Sequence, residues 1–302
     1  MTPVSGTYHP GEIEVQRRAG VRREADEVGA IIGAHIPPIF VPIVATFRIA
    51  VAASIDSRGR VWASLLTGPA GFLHVLGEER LRIDARPRRG DPLEANLTVR
   101  PDLGLLLFDP ATRRRMRFNG QVTPDGTGGM TIAVEQAYGN CRKYIQRRQL
   151  DATGRDGGAT PVRSDALTPA QQAHIAAADT FFIASAHPAA GADASHRGGS
   201  PGFVRVADGN RLSFPDYPGN NMFNTLGNLV ANPRAGLLFV DFERGDLLQI
   251  TGRAALDRNP EVIARHHGTE HLVVDFEVDE VIESAGASSL RGALVEPSPF
   301  NP

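Results

Sequence analysis

Two neighbouring stretches carry the residue types best suited to chemistry. The first is His196-Arg197-Gly198-Gly199-Ser200-Pro201-Gly202-Phe203-Val204-Arg205-Val206. The second runs from Leu212 through Ser213, Pro215, Asp216, Asn220, Asn221 and Asn224 to Thr225 and Leu226. Glycines let a backbone approach a ligand closely and adopt positive φ. Asparagine amides and free loop N–H groups are donors suited to an anion such as a phosphate, and arginine adds charge. At strand ends, the two stretches would frame a cleft for a flat, phosphorylated ligand. The competing reading is structural, because Pro-Gly and Gly-Asn pairs also make plain turns.

Other motifs carry less. Gly198-Gly199-Ser200-Pro201-Gly202 has the G-x-S-x-G spacing of serine hydrolases. In that elbow the residue after the serine supplies an oxyanion-hole N–H, and Pro201 has none. His267-Gly268-Thr269-Glu270-His271 has an H-x-x-E-H zinc-protease spacing. That spacing needs a helix, which Gly268 disfavours, so a surface turn is expected and no metal. Asp56, Asp109, Asp193 and Asp241 read as turn residues rather than paired acids. Trp62 lies in a strand pattern and reads as core. Cys141, beside Arg142 and Lys143, reads as an unreactive thiol. No GxGxxG, P-loop or EF-hand loop is present.

The chain has 302 residues, net charge −2, 41% hydrophobic and 22% charged residues. That supports real cores and two domains or one large one. A balance so close to neutral argues against nucleic-acid and anionic-membrane binders. A single cysteine excludes an intrachain disulfide and a Cys-based zinc site. The first twenty residues lack an apolar core, so no signal peptide is expected. Ile36–Ile55 is the most apolar stretch, but Pro37, Pro38, Pro42 and Arg48 interrupt it. It reads as an extended lead-in to a buried strand, and the protein as soluble and cytoplasmic.

Helix-period stretches are few. The patterns predict helices over about 21–34, from Thr168 to about Ala178, and near 260–266. Short strands are expected at 47–55, 61–66, 103–108, 116–118, 181–185, 236–242, 247–251 and 272–278. Residues 151–165 read as a linker. The two sides of that linker repeat each other. Gly71-Phe72, Val75 and Arg80-Leu81 match Gly202-Phe203, Val206 and Arg211-Leu212 at an offset of 131. Asn96-Leu97, Pro101, Gly104-Leu105-Leu106, Asp109 and Gly120 match Asn228-Leu229, Pro233, Gly236-Leu237-Leu238, Asp241 and Gly252 at 132. The pattern predicts two copies of one antiparallel β unit that remove free edges by closing into barrels. Two such units can pack across a pseudo-twofold axis.

These residues also resemble a known family. SHRGGSPGFVRV, PDYPGNNMFNTLGNLVANPRAGLLF and LLQITGRA, with YHPGEIEVQRRAGV, GRVWASLLTGPAGF and AYGNCRKYIQ nearer the N-terminus, are similar to the pyridoxamine 5′-phosphate oxidase-like FMN-binding split-barrel proteins, in their flavin-nucleotide-binding subgroup. The resemblance implies a mainly β chain of two tandem six-stranded antiparallel Greek-key split barrels packed as a pseudo-dimer. It implies a helical lead-in over 1–35, a first repeat over 36–150 that is degenerate for cofactor, and an FMN-binding second repeat over 166–302. His196, Arg197, Phe203, Val204, Arg205, Ser213, Pro215 and Asp216 would border the flavin, with Arg205 near its N1–C2 edge. Asn220, Asn221, Asn224 and Thr225 would meet the ribityl phosphate, and Gln249 would approach the ring. Asn220-Asn221 stands where true pyridoxamine phosphate oxidases have an Arg/Lys pair. Their C-terminal Trp and Arg segment has no counterpart in Arg291–Pro302. The resemblance thus implies FMN and a small-molecule redox substrate rather than vitamin B6, with a homodimer as a further possibility. Its alternative is a non-catalytic flavin, haem or deazaflavin carrier.

Overall fold

The computed structural model describes residues 7–124, 129–152, 160–266, 269 and 272–302. Helix α1 (Pro10–Arg18) starts at a reciprocal cap. The His9 side chain accepts from the Gly11 N–H while the Glu12 carboxylate accepts from the His9 N–H, and proline opens the first turn. Helix α2 (Arg22–Gly29) follows. Pro38–Phe40 is a 3-10 turn running into α3 (Val41–Val44). The lead-in expected to be extended is therefore helical: Pro38 and Pro42 occupy first-turn positions, where proline is tolerated.

Seven strands then build a first sheet: β1 (Ile49–Ile55), β2 (Val61–Thr67), β3 (Leu73–Val75), β4 (Arg80–Ile83), β5 (Asp102–Asp109), β6 (Arg114–Pro124) and β7 (Met130–Gly139). Helix α4 (Pro92–Val99), capped by Asp91, precedes β5. Short strands β8 (Arg147–Arg148), β9 (Asp151–Ala152) and β10 (Val162–Ser164) lead to α5 (Pro169–Ala177). Its Thr168/Gln171 capping box stands where the sequence places it. The second sheet comprises β11 (Thr180–His187), β12 (Gly191–Gly198), β13 (Arg205–Val206), β14 (Arg211–Pro215), β15 (Arg234–Val240), β16 (Leu247–Asp257) and β17 (Val273–Ser284). Helix α6 (Asn224–Ala231) precedes β15, and α7 (Pro260–Ile263) precedes β17. Strands β18 (Leu290–Arg291) and β19 (Leu294–Glu296) pair back onto β9 and β8. Part of the expected linker is thus strand: Asp151–Ala152 joins β18, and β10 joins β17.

The two sheets have one topology. The first runs β2-β1-β5-β6-β7-β4-β3 and the second β12-β11-β15-β16-β17-β14-β13, antiparallel throughout. Each path has seven strands rather than six, and neither closes on itself, so the barrels are open, with β10 added beside β17. Register shifts fall at equivalent points, Asn119/Gly120 and Thr251/Gly252. A Cβ on either glycine would lie 2.0 Å from a carbonyl oxygen of the neighbouring strand, which explains why glycine stands at both bulges.

Each sheet encloses its own core, and a third core lies between them. Ala50, Ala52, Leu105 and Leu107 face the first sheet's core, while Val51, Ala53, Leu106 and Phe108 pack with Phe182, Ala184 and Leu238 of the second. Strand β1 is buried along its whole length because both of its faces are covered. Gly104 packs against the backbone of β12 and Gly236 against that of β2. Helix α1 crosses α6 where Gly11 and Gly227 meet, so the N-terminal helix packs on the second half of the chain. No helix among the described residues is long and apolar enough to cross a membrane.

Candidate functional site

A cleft opens where the rim of the second sheet meets β6 of the first. Arg115 and Arg117 alternate with Met116 along β6, so both arginines point to one face. Arg117 donates to Ser195 Oγ at 2.6 Å and to Tyr138 Oη and Asn224 Oδ1 at 3.0 Å, and its guanidinium stands 3.3 Å from Asp193 Oδ1. Arg115 Nε donates to the Cys141 carbonyl at 2.6 Å, and its Nη1 lies 3.1 Å from His196 Nδ1. A guanidinium can only donate, so His196 Nδ1 accepts and the imidazole proton sits on Nε2. Burial, reinforced by Arg115 and Arg197, holds the His196 pKa well below its usual range.

The opposite wall comes from the second half. Arg197 pairs with Asp216 at 2.5 Å. Met222 N–H donates to Asn220 Oδ1, closing a turn in which Asn221 and Phe223 both take left-handed backbone (φ 61° and 59°). Asparagine tolerates that conformation and phenylalanine does so rarely, so strain is held at the cleft. Helix α6 begins directly after Phe223 with no side-chain cap, and its first residues Asn224, Thr225 and Leu226 line the cleft. Uncapped first-turn N–H groups favour an anion. Tyr144 Oη and Lys143 Nζ donate to the Pro218 carbonyl at 2.9 and 3.4 Å, tying the first half over this loop. Phe203, Tyr144 and Tyr217 supply an aromatic end.

The electrostatics are one-sided. Arg117 and Arg197 each have a carboxylate partner; Arg115 has none among the described residues. Burial, with repulsion from Arg117 and Arg197, pulls the Arg115 pKa down to about 9. Arg117 Nε, Arg197 Nε, His196 Nε2 and Asn140 Oδ1 are buried on cleft residues without a partner. Three of these four are donors.

Of the residues singled out in the sequence, His196, Arg197, Phe203, Pro215, Asp216, Asn220, Asn221, Asn224 and Thr225 line this cleft. Four lie elsewhere. Val204 is buried in the core of the second sheet. Arg205 alternates outward from it, is exposed, and lines a neighbouring cavity with His266. Ser213 Oγ is 3.1 Å from His266 Nε2. Gln249 is buried on the opposite seam, donating to the Ala63 carbonyl at 2.9 Å, Ser64 Oγ at 3.3 Å and Asp91 Oδ2 at 3.1 Å. There Leu65, Leu66 and Leu247 occupy the places that His196, Arg197 and Arg115 hold at the cleft, and all three are buried. Asp91 is pushed up to about 6 by burial. That seam is sealed by side chains.

The sequence reading missed Arg115, Arg117, Lys143, Tyr144 and Tyr217. The signal was present: arginines at 115 and 117, two apart in a strand, put charge on one face. Asp193 is not a turn residue but lies buried within β12, facing Arg117. Asp56, Asp109 and Asp241 do accept backbone N–H bonds in turns. Trp62 is buried and donates to Asp56. Ser200 is an exposed turn residue with no helix after it. Of the H-x-x-E-H stretch, residues 267, 268, 270 and 271 lie outside the described residues.

No curated protein matches the chain. Solved structures resemble parts of it. HupZ of Group A Streptococcus is 12% identical, covering 44% of this chain and 98% of that one, with a TM-score of 0.31. A Clostridium acetobutylicum protein related to general stress protein 26, of the pyridoxinephosphate oxidase family, is 9% identical over 40% of this chain and 89% of its own, at 0.30. A FAD-binding protein of Mesorhizobium loti is 13% identical over 42% and 98%, at 0.29. Residues 167–280 match the family model described as pyridoxamine 5′-phosphate oxidase. Over residues 167–280, then, the chain is similar to the pyridoxamine 5′-phosphate oxidase family.

Proposed function

We propose that the cleft holds FMN and that the chain is a flavin-dependent oxidoreductase acting on a small molecule. The observation that carries this is Arg115: a half-buried guanidinium without a carboxylate, between two other arginines, at the rim of a cleft that also receives an uncapped helix start. Burying a cation without an anion is costly, and a phosphate would supply the missing charge.

In this reading Arg115, Lys143 and the first turn of α6 hold the phosphate. Arg117 positions Asn224 and Ser195 rather than spending its charge on the ligand, because Asp193 already faces it. Phe203, Tyr144 and Tyr217 give the planar part an apolar shelf and exclude water. Tyr217, raised to about 12 by burial, stays protonated and meets the ligand as a neutral hydroxyl. When bound, the flavin supplies hydride or electron transfer, while the protein supplies orientation and charge. The first repeat is then no mere packing partner, since it contributes Arg115, Lys143 and Tyr144. Both walls come from one chain, so a second copy is not needed to build the site.

The test is uptake of FMN by purified protein, followed by its absorption spectrum. A flavin doublet that bleaches with a reduced nicotinamide cofactor and returns with an acceptor supports an enzyme. A doublet without turnover supports a carrier, and no uptake rejects the assignment.

A further inference from the structure

Helix α1 grips, with buried side chains, the segment that turns into α6. Glu12 and Gln16 lie four residues apart on its buried face. Gln16 is 0% exposed, and its Nε2 donates to the Met222 carbonyl at 2.9 Å, across 206 positions of sequence. The amide can face only one way. Arg22 donates to Gln16 Oε1, and a guanidinium has no acceptor, so the NH2 end is the one left for Met222. One turn earlier on α1, Glu12 Oε1 accepts from Asn224 Nδ2 at 2.6 Å. The Met222 side chain is anchored on the same side, fully buried with Tyr8, Ala25 and Tyr138.

Met222 stands between the two left-handed residues, Asn221 and Phe223. The peptide joining Met222 to Phe223 is trans, so the Phe223 N–H points opposite to the Met222 carbonyl across one planar group. Gln16 draws that carbonyl toward α1. The N–H is therefore turned away from α1, and no acceptor among the described residues meets it. Phe223, Asn224, Thr225 and Leu226 line the cleft, whereas Gln16 and Met222 do not. Rotating this one peptide would change ψ of Met222 and φ of Phe223 together. A flip would carry Phe223 out of the left-handed region, so its strain favours the flip and the Gln16 bond opposes it. One hydrogen bond behind the loop thus decides which way a donor in front of it faces.

We propose that Gln16 is a positioning residue that sets the preference for a phosphorylated flavin over an unphosphorylated one, by holding the Phe223 N–H toward the phosphate. This rests on the reading above, in which the phosphate meets the first turn of α6; Gln16 itself touches no ligand.

The experiment is titration of the flavin-free full-length chain with FMN and with riboflavin, which lacks only the phosphate, followed by quenching of flavin fluorescence. Wild type should bind FMN at least tenfold more tightly than riboflavin. Gln16→Met keeps the length of the side chain and removes the donor. It should weaken FMN roughly fivefold, the worth of one ordinary hydrogen bond, and leave riboflavin within about twofold. Arg22→Met, on a half-buried side chain of α2, frees the Gln16 amide to turn and should lower the FMN-to-riboflavin ratio in the same direction. It decides the matter if Gln16→Met does not fold. Equal losses for the two flavins in Gln16→Met would reduce Gln16 to a packing residue and overturn the proposal, as would a wild-type ratio in either folded variant. Those outcomes leave the phosphate assignment standing. A wild type without preference for FMN would overturn that assignment and this proposal together.

Discussion

Arg117 and Gln249 stand at the same point of the two sheets, and each reaches across the seam to the equivalent serine of the other half. Arg117 Nη2 meets Ser195 Oγ at 2.6 Å, and Gln249 Nε2 meets Ser64 Oγ at 3.3 Å. Each is registered against the same leucine of its repeat, Leu106 or Leu238. The pseudo-twofold therefore makes two equivalent seams and fills them differently. One carries Arg115, Arg117, His196 and Arg197; the other carries Leu247, Gln249, Leu65 and Leu66.

That difference sets the first expected outcome. Arg115→Gln should weaken FMN uptake by about ten- to a hundredfold, since a charge-assisted hydrogen bond is worth roughly 1.5–3 kcal/mol. Gln249→Leu should leave uptake within about twofold, because Gln249 lies on the sealed seam. Fluorescence quenching of FMN by the two variants measures both. Equal losses would show that the seams have been assigned wrongly.

The seam itself rests on two glycines. A Cβ on Gly104 would lie 2.5 Å from Asp193 Cα, and one on Gly236 would lie 2.7 Å from the Val61 carbonyl oxygen. The obstructing atoms are backbone, so neither can swing away. Gly104→Ala and Gly236→Ala should each cost roughly 3 kcal/mol or more, at or above the upper end of ordinary overpacking. Gly139→Ala, whose nearest neighbour would be Phe40 at 3.9 Å, should be close to neutral. Thermal melts of the three variants test this, and a Gly104→Ala protein as stable as Gly139→Ala would refute the close approach.

Glu12 predicts a pH dependence of stability. Burial pushes its carboxyl from an ordinary 4.5 to about 7, against hydrogen bonds from His9 and Asn224 that pull it down. Between those values the folded chain keeps a proton that the unfolded chain has released. The group's contribution is therefore complete at low pH and is lost as pH rises toward and through 7, by on the order of 3 kcal/mol. His9, held down to about 4 chiefly by burial, slopes the other way, gaining stability as pH rises from about 4 to 6.5. The informative quantity is thus the difference between wild type and Glu12→Gln. Urea melts from pH 5 to 8 should show wild type losing stability relative to Glu12→Gln as pH rises. A constant difference would mean that Glu12 is ionised throughout.

Much of the architecture was legible because the repeat is written in residues with backbone duties. Gly120 and Gly252 mark the two bulges, and Gly104 and Gly236 mark the two close approaches. Asn96 and Asn228 donate at 2.9 Å to Ser54 and Ser185 in turn. Helices α4 and α6 were not legible. PLEANLTV and NTLGNLVA are short and rich in weak helix formers, so packing rather than propensity decides them. Asn220, Asn221 and His196, singled out in the sequence, line one side of the cleft. The other side comes from a strand some eighty residues away in sequence, and Gln249 lies on the opposite seam, which pseudo-symmetry makes locally alike.

The most direct test of a single cationic seam is the stoichiometry of FMN bound to the purified chain. Titration with the spectrum recorded at each step should saturate at one equivalent per chain, with the same endpoint in Gln249→Leu and loss of tight uptake in Arg115→Gln. Two equivalents per chain, or none, would contradict it.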